Sequence, residues 1–405
     1  MKGEARDVCR NIECIDLTPY GITLPGFIDL HTHLRGLELA YKEEEYSGTR
    51  AAARGGYTAV VDMPNTIPRV DNLRSLELKL EKLRTQSVVD FGISVAPPLN
   101  GDLKKLKDLI SRPEVVSIGE VFPEELHLIP LIVHAMHEVS TSKPIIVHPE
   151  VPELIGECKE GYRWICRPLE AEWSAIMLVH ELVGQGDVDV KIHITHVTNP
   201  TSIALAKRFG FTVDTAPHYL YLSSDDELRK GCIAKVNPPL RHSTTNRALL
   251  TYTQYLDAIA TDHAPHSLEE KSRSFMECPS GIASLDVAPL LILDLVSRGF
   301  LSLSDVVRLL SLGPAKILGL NMWGCFEPGC IASYTIVNLE KESVIDSSRF
   351  ASKAKFSPYD GMRVRGSVAA TIVRGEIVQL EGEIVVSRPI GIPLGYLIWG
   401  SMRQG

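Results

Sequence analysis

Short β-rich runs recur along the chain, each ending near polar residues and most followed by a stretch whose apolar residues return at every third or fourth position. In chain order the runs are GFIDLHTH, TAVVDMPN, DFGISVAPP, VVSIGEVF, PIIVHPE, VKIHITHVT, FTVDTAPH and DAIATDHAPH. The intervening stretches LRSLELKLEKLR, DLKKLKDLI, LIPLIVHAMHEV, PLEAEWSAIMLVHELV and TSIALAKRF carry the helical period. Eight alternations of strand and helix predict an α/β fold of the (β/α)8, TIM-like barrel class. A doubly wound open sheet would instead place a glycine-rich phosphate turn after its first strand, and HTHLRG is not one. Beyond about residue 320 the texture changes. GCFEPGCIASYTIVNLE and GMRVRGSVAATIVRGEIVQLEGEIV read as short strands joined by Gly-rich turns, and the first 24 residues look similar. The expected organisation is a barrel over residues 25–320 and a small β-sandwich domain built from both termini, residues 1–24 and 321–405.

Composition supports a large globular core, with 405 residues, 44% of them hydrophobic and 23% charged. Lys and Arg number 42 against 50 Asp and Glu, a net charge of -8, and no long basic run offers a track for a phosphate backbone. Nucleic acid is therefore not an expected partner. Nor is a membrane, because no apolar run reaches about 18 residues and MKGEARDVCRNIECIDLTPYG lacks the apolar core of a signal peptide. The expected address is the cytoplasm. None of the eight cysteines forms a C-x-x-C pair, so reduced, mostly buried thiols are expected. The spacing of Cys9 and Cys14 echoes that of Cys325 and Cys330, and cross-links there would fit only an organism that tolerates intracellular disulfides.

In a barrel of this class the C-terminal strand ends face the active site. His31 and His33, two apart on a strand, project to one side and can grip one metal ion. His148 ends the fifth run, His196 the sixth and Asp262 the eighth. Nitrogen and oxygen donors gathered at one rim point to a metal centre, since buried histidine and aspartate need a partner in any case. Glu120, at the end of the fourth run, would bridge two cations if it turns inward. His193 reads as a hydrogen-bonded interior histidine, His218 as a weaker candidate, and His134 and His137 as ordinary residues of an outer helix.

These motifs resemble the amidohydrolase superfamily, and within it the dihydroorotases of the cyclic amidohydrolase branch. The pieces that carry the resemblance are GFIDLHTHLR, GTRAAARGGYTAVVDMPNT, KVNPPLR, TDHAPHSLEEK and GPAKILGL. It implies His31, His33, His148, His196 and Asp262 as metal ligands, one or two zinc ions as cofactor, and Arg35 and Asn65 on the α-carboxylate of a small-molecule substrate with His266 beside them. The implied reaction interconverts N-carbamoyl-L-aspartate and L-dihydroorotate, with a metal-activated hydroxide and Asp262 as general acid and base. A homo-oligomer and a complex with aspartate carbamoyltransferase stay open. So do two rival readings: a hydantoinase, dihydropyrimidinase or allantoinase, and a non-catalytic scaffold for that transferase. The chain departs from the family pattern in having Glu120 where G-x-K-x-F commonly supplies a carboxylated lysine, and in HLRGLELAYKEEEY, where the family continues into a proline and glycine turn.

Overall fold

The computed structural model describes residues 16–158, 162–184 and 190–399. Strand β1 (Ile22–Pro25) belongs to a small sheet. The next eight, β2 (Phe27–Thr32), β3 (Tyr57–Asp62), β4 (Asp90–Val95), β5 (Val115–Val121), β6 (Ile145–Val147), β7 (Ile192–Ile194), β8 (Thr212–Thr215) and β9 (Ala258–Ile259), are parallel and lie side by side in chain order. A parallel bridge between Thr32 and His263 joins the last strand to the first. The result is the expected (β/α)8 barrel.

Its strands are buried on both faces, and alternation assigns the faces. Phe27, Val60, Val115, Ile145 and Ile259 pack outward in one apolar cluster with the helices. Their neighbours Ile28, Leu30, Ala59, Val61, Val116, Ile146 and Ala258 form a separate cluster inside. The helices include α1 (Glu45–Gly55), α2 (Leu73–Gln86), α3 (Leu103–Ile110), α4 (Ile129–Glu138), α5 (Leu169–Val183), α6 (Pro200–Arg208), α7 (Ser243–Thr251), α8 (Ala288–Ser297) and α9 (Gly313–Leu318). Side chains of Asn72, Asp102 and Asn199 cap α2, α3 and α6 by accepting from a backbone N–H one turn in. His134 and His137 lie on the exposed face of α4, as the helical period requires. No helix among the described residues is long and apolar enough to cross a membrane.

The chain ends meet in one antiparallel sheet, ordered β1, β10 (Tyr334–Val344), β11 (Arg363–Val373), β12 (Glu376–Leu380) and β13 (Glu383–Ile384). Barrel helices α1 and α8 supply the layer it packs on, so the second sheet of a sandwich is not needed to bury its face. Gly366 allows that approach: a Cβ there would stand 2.6 Å from the Cβ of Leu293. After β13 the chain returns to the barrel floor. Phe91 N–H donates to Ile392 O at 3.0 Å, and Leu394, heading α10 (Leu394–Trp399), is fully buried with Ile28, Val116 and Trp323.

The expectation of reduced thiols is overturned. Cys158–Cys166, Cys232–Cys278 and Cys325–Cys330 are disulfides, and no free cysteine occurs among the described residues. Cys9 and Cys14 lie outside those residues. Cysteine count and spacing along the chain do not report which thiols the fold brings together, and that is what decides pairing. The Cys232–Cys278 bond closes a 46-residue separation. A loop of that length is worth about 4 kcal/mol by chain entropy. The double variant Cys232→Ala, Cys278→Ala is expected to melt several degrees lower in a thermal unfolding scan. An unchanged melting temperature would show the bond to be energetically idle.

Candidate metal centre

The strand ends converge because their backbones leave the regular strand path there. The β2 and β3 register shifts between Asp29 and Thr32, while His196 and Asp262 take left-handed φ values of 42° and 45°. Such conformations are costly for non-glycine residues and are held by their surroundings. Asp214 accepts from the His196 N–H at 2.5 Å, and Asp29 accepts from the N–H groups of His31 at 3.2 Å and Thr261 at 3.0 Å.

Six side chains meet as two sets of donor atoms around one carboxylate. His31 Nε2 and His33 Nε2 are 3.2 Å apart, and Asp262 Oδ1 lies 3.8 and 3.1 Å from them. One Glu120 oxygen, Oε2, faces this set at 3.2 Å from His31 Nε2 and 3.9 Å from His33 Nε2. The other, Oε1, faces His148 Nδ1 at 2.9 Å and His196 Nε2 at 3.0 Å. Glu120 is only 2% exposed. Its two oxygens thus point to two different groups of histidines, the arrangement a bridging ligand needs.

The hydrogen bonds behind the rings indicate what these nitrogens face. His33 Nδ1 lies 2.7 Å from Asn65 Oδ1, an acceptor, so the ring hydrogen belongs on Nδ1 and the lone pair on Nε2. That lone pair points at Asp262 Oδ1. Two electron-rich atoms at 3.1 Å repel unless a proton or a cation lies with them, and burial lowers the pKa of His33, which disfavours the proton. His148 is oriented in the same manner, with Nε2 at 2.7 Å from Glu150 Oε2 and Nδ1 turned to Glu120. Histidine nitrogens and carboxylate oxygens, buried and convergent, fit a divalent cation.

The electrostatics agree. Burial opposes charge on every group, yet Glu120 lifts His31 to about 9, and Glu120 with Glu150 lifts His148 to about 9. Burial likewise opposes the Asp262 carboxylate, but His33 and His31 hold it down to about 2. Glu120 is held well below the usual carboxylate range against burial, chiefly by His31, His148 and His196. The protein has assembled a buried nest of positive charge demand around two carboxylates.

A cavity of about 240 Å³ opens over the centre, with His33, Arg35, Asn65, His148, Arg167 and Asp262 on its wall. Arg35 follows the histidines in a left-handed turn, φ 58°, and its carbonyl accepts from Lys79 Nζ at 3.0 Å. Lys79 is a buried ammonium on α2 that also meets Asp62 at 2.6 Å and Glu45 at 2.8 Å. His266 stands one layer back, its Nε2 3.4 Å from Arg35 Nη2. His193 is hydrogen-bonded to Thr212 and Asp214, each at 2.9 Å. His218 is fully buried, has no hydrogen-bond partner for either nitrogen, and is pushed down to about 4 by burial, so the ring is neutral.

The dihydro-orotase-like family pattern matches residues 21–109, and that of the amidohydrolase family residues 186–378. The dihydroorotase of Saccharolobus solfataricus is 36% identical over 396 residues, 95% of this chain and 94% of the relative. This chain belongs to the dihydroorotase family. The dihydroorotase of Methanothermobacter thermautotrophicus is 34% identical over 94% of the chain and 89% of the relative. Among solved structures, an L-hydantoinase (dihydropyrimidinase) from Arthrobacter aurescens superposes with a TM-score of 0.87 at 25% identity, covering 94% of this chain and 91% of that one. A dihydropyrimidinase from Brevibacillus agri, at 0.83 and 23%, shares the fold. As a dihydroorotase-family member the chain is an amidohydrolase, of a class that depends on metal.

Several members of the site escaped the sequence reading. Glu150 has a legible signal, since it lies two residues beyond His148 and so on the same side of an extended segment. Burial works against its carboxylate, but His148 and Arg167 hold it at about 2. Arg167 donates to it from Nε at 3.0 Å. Lys79 has none, because its partners Arg35, Glu45 and Asp62 lie far off in sequence.

Proposed function

We propose that the chain is a dihydroorotase, interconverting N-carbamoyl-L-aspartate and L-dihydroorotate for pyrimidine synthesis in the cytoplasm, with two zinc ions held by His31, His33, Glu120, His148, His196 and Asp262. The chemistry sits in the barrel, flanked by the small sheet of β1 and β10–β13. The observation that carries this reading is a guanidinium, Arg35, on the wall of a small polar cavity directly beside the two donor sets. A planar fork of that kind matches a carboxylate, which the dihydroorotate ring bears and neutral cyclic amides lack.

His31, His33 and Asp262 on one side of Glu120 and His148 and His196 on the other would hold the cations, which would supply polarisation of the ring carbonyl and activation of water near neutral pH. The residues do the rest. Arg35 grips the α-carboxylate, and Asn65, whose carbonyl oxygen is occupied by His33, turns its amide NH2 to the same anion. Asp262, held at about 2, is an ionised base at neutral pH. In hydrolysis it takes the proton of the attacking water and passes it to the departing ring nitrogen. In cyclisation it takes the proton from the carbamoyl nitrogen and delivers it to the leaving oxygen.

The test is a spectrophotometric assay of purified protein with L-dihydroorotate and with N-carbamoyl-L-aspartate, before and after chelation and after zinc is restored. Turnover lost on chelation and recovered with zinc is expected. Turnover of hydantoin or dihydrouracil alone would replace the substrate. Turnover that arises only when aspartate carbamoyltransferase is added would mark an enzyme completed by that partner, and none under any condition would leave the scaffold reading.

A further inference from the structure

His266 is a buried imidazole set among cations. Its Nε2 lies 3.0 Å from the carbonyl oxygen of Ser280 and 3.4 Å from Arg35 Nη2. Its Nδ1 lies 3.3 Å from Lys42 Nζ and 3.4 Å from Glu270 Oε2. Lys42 also pairs with Glu270 at 2.8 Å. A carbonyl oxygen only accepts, so the contact to Ser280 places hydrogen on Nε2. Hydrogen on both nitrogens would add a cation to a cluster that already holds Arg35, Lys271 and Lys42. Burial first, then those three charges, push the ring down to about 3, and it is neutral. A neutral ring with hydrogen on Nε2 has its lone pair on Nδ1. An ammonium suits that lone pair, because it donates three hydrogens and accepts none, whereas the Glu270 carboxylate would need a hydrogen there.

We propose that Lys42 is a positioning residue for an anion subsite: by donating to His266 Nδ1 it holds the imidazole in its Nε2–H tautomer, whose one hydrogen is given to the Ser280 carbonyl and so fixes that stretch of the cavity wall beside Arg35. Given the dihydroorotase reading above, that anion is the α-carboxylate of the substrate. Lys42 thereby sets preference for acidic over neutral cyclic amides. It is carried there by the segment GLELAYKEEEY, which folds back on itself through Gly36 N–H to Glu43 O at 3.0 Å and Lys42 N–H to Leu39 O at 2.9 Å.

Nitrogen-15 NMR of the intact, metal-loaded protein with labelled histidine reports the tautomer directly, the His266 signals being assigned by their loss in His266→Asn. The wild type is expected to show a protonated Nε2 and a bare Nδ1. Lys42→Met is expected to shift the ring toward the Nδ1–H form facing Glu270, and Lys42→Arg and Glu270→Gln to retain Nε2–H. In the assay with L-dihydroorotate, Lys42→Met should raise KM about tenfold with kcat within about threefold, and Lys42→Arg should restore it. A wild-type ring with hydrogen on Nδ1, a tautomer unmoved in Lys42→Met, or the same shift in Glu270→Gln would overturn the assignment. A shifted tautomer with unchanged KM would overturn the recognition role. Absence of wild-type turnover on dihydroorotate bears instead on the substrate reading, and the NMR result stands apart from it.

Discussion

Replacing Glu120 with glutamine is expected to lower turnover about a thousandfold or more and to cut bound zinc from about two ions per chain to one or fewer. The substitution keeps the shape of the side chain and removes its charge. In the native chain Oε1 serves His148 and His196 while Oε2 serves His31, so one carboxylate completes both donor sets. An amide offers one oxygen and a nitrogen with no lone pair for a cation, and can complete one set at best. Two cations close together also need intervening negative charge, which Gln cannot supply. Elemental analysis and the dihydroorotate assay on one preparation check both effects, with circular dichroism to verify the fold. Unchanged metal content with unchanged turnover would remove Glu120 from the site.

Replacing Arg35 with methionine is expected to raise KM for L-dihydroorotate roughly a hundredfold, in line with loss of a buried charge-assisted pair. A fall in kcat should accompany it, because the same contact orients the ring over the centre. The backbone should survive the change. What holds the turn is the Arg35 carbonyl on Lys79 together with the Leu34 N–H on Asp62 at 2.8 Å, and neither uses the guanidinium. Zinc content is therefore expected to stay at the wild-type level. An unchanged KM, with dihydroorotate still turned over, would show that the carboxylate is bound elsewhere.

The eight strands were legible because a parallel strand covered on both faces is mostly apolar, with polar residues gathered near its end and the few further in, such as Asp29 and His193, held by hydrogen bonds. Each of the eight runs marks its strand by that contrast. His31, His33, His148, His196 and Asp262 stood out for the same reason, as polar groups where an apolar run stops. Glu120 was legible as a strand-end carboxylate, but not its direction, since a single bond rotation separates a solvated glutamate from a bridging one. The cysteines misled because pairing is a matter of distance in space. Cys232 and Cys278 are 46 residues apart and meet only in the folded chain.

What the sequence determined by itself is the order of elements and the identity of the donors, both of which are local: a hydrophobic period, a strand end, a residue type. Tertiary structure alone decided that two oxygens of Glu120 would face two histidine sets, that Lys79 on α2 would clamp the carbonyl of Arg35, and that Lys42 would meet His266 across 224 positions of chain. The last of these contacts depends on barrel closure, which brings the first and last strands side by side. No local pattern carries that information, because the energy of a buried charge is set by partners the chain reaches only once it is folded.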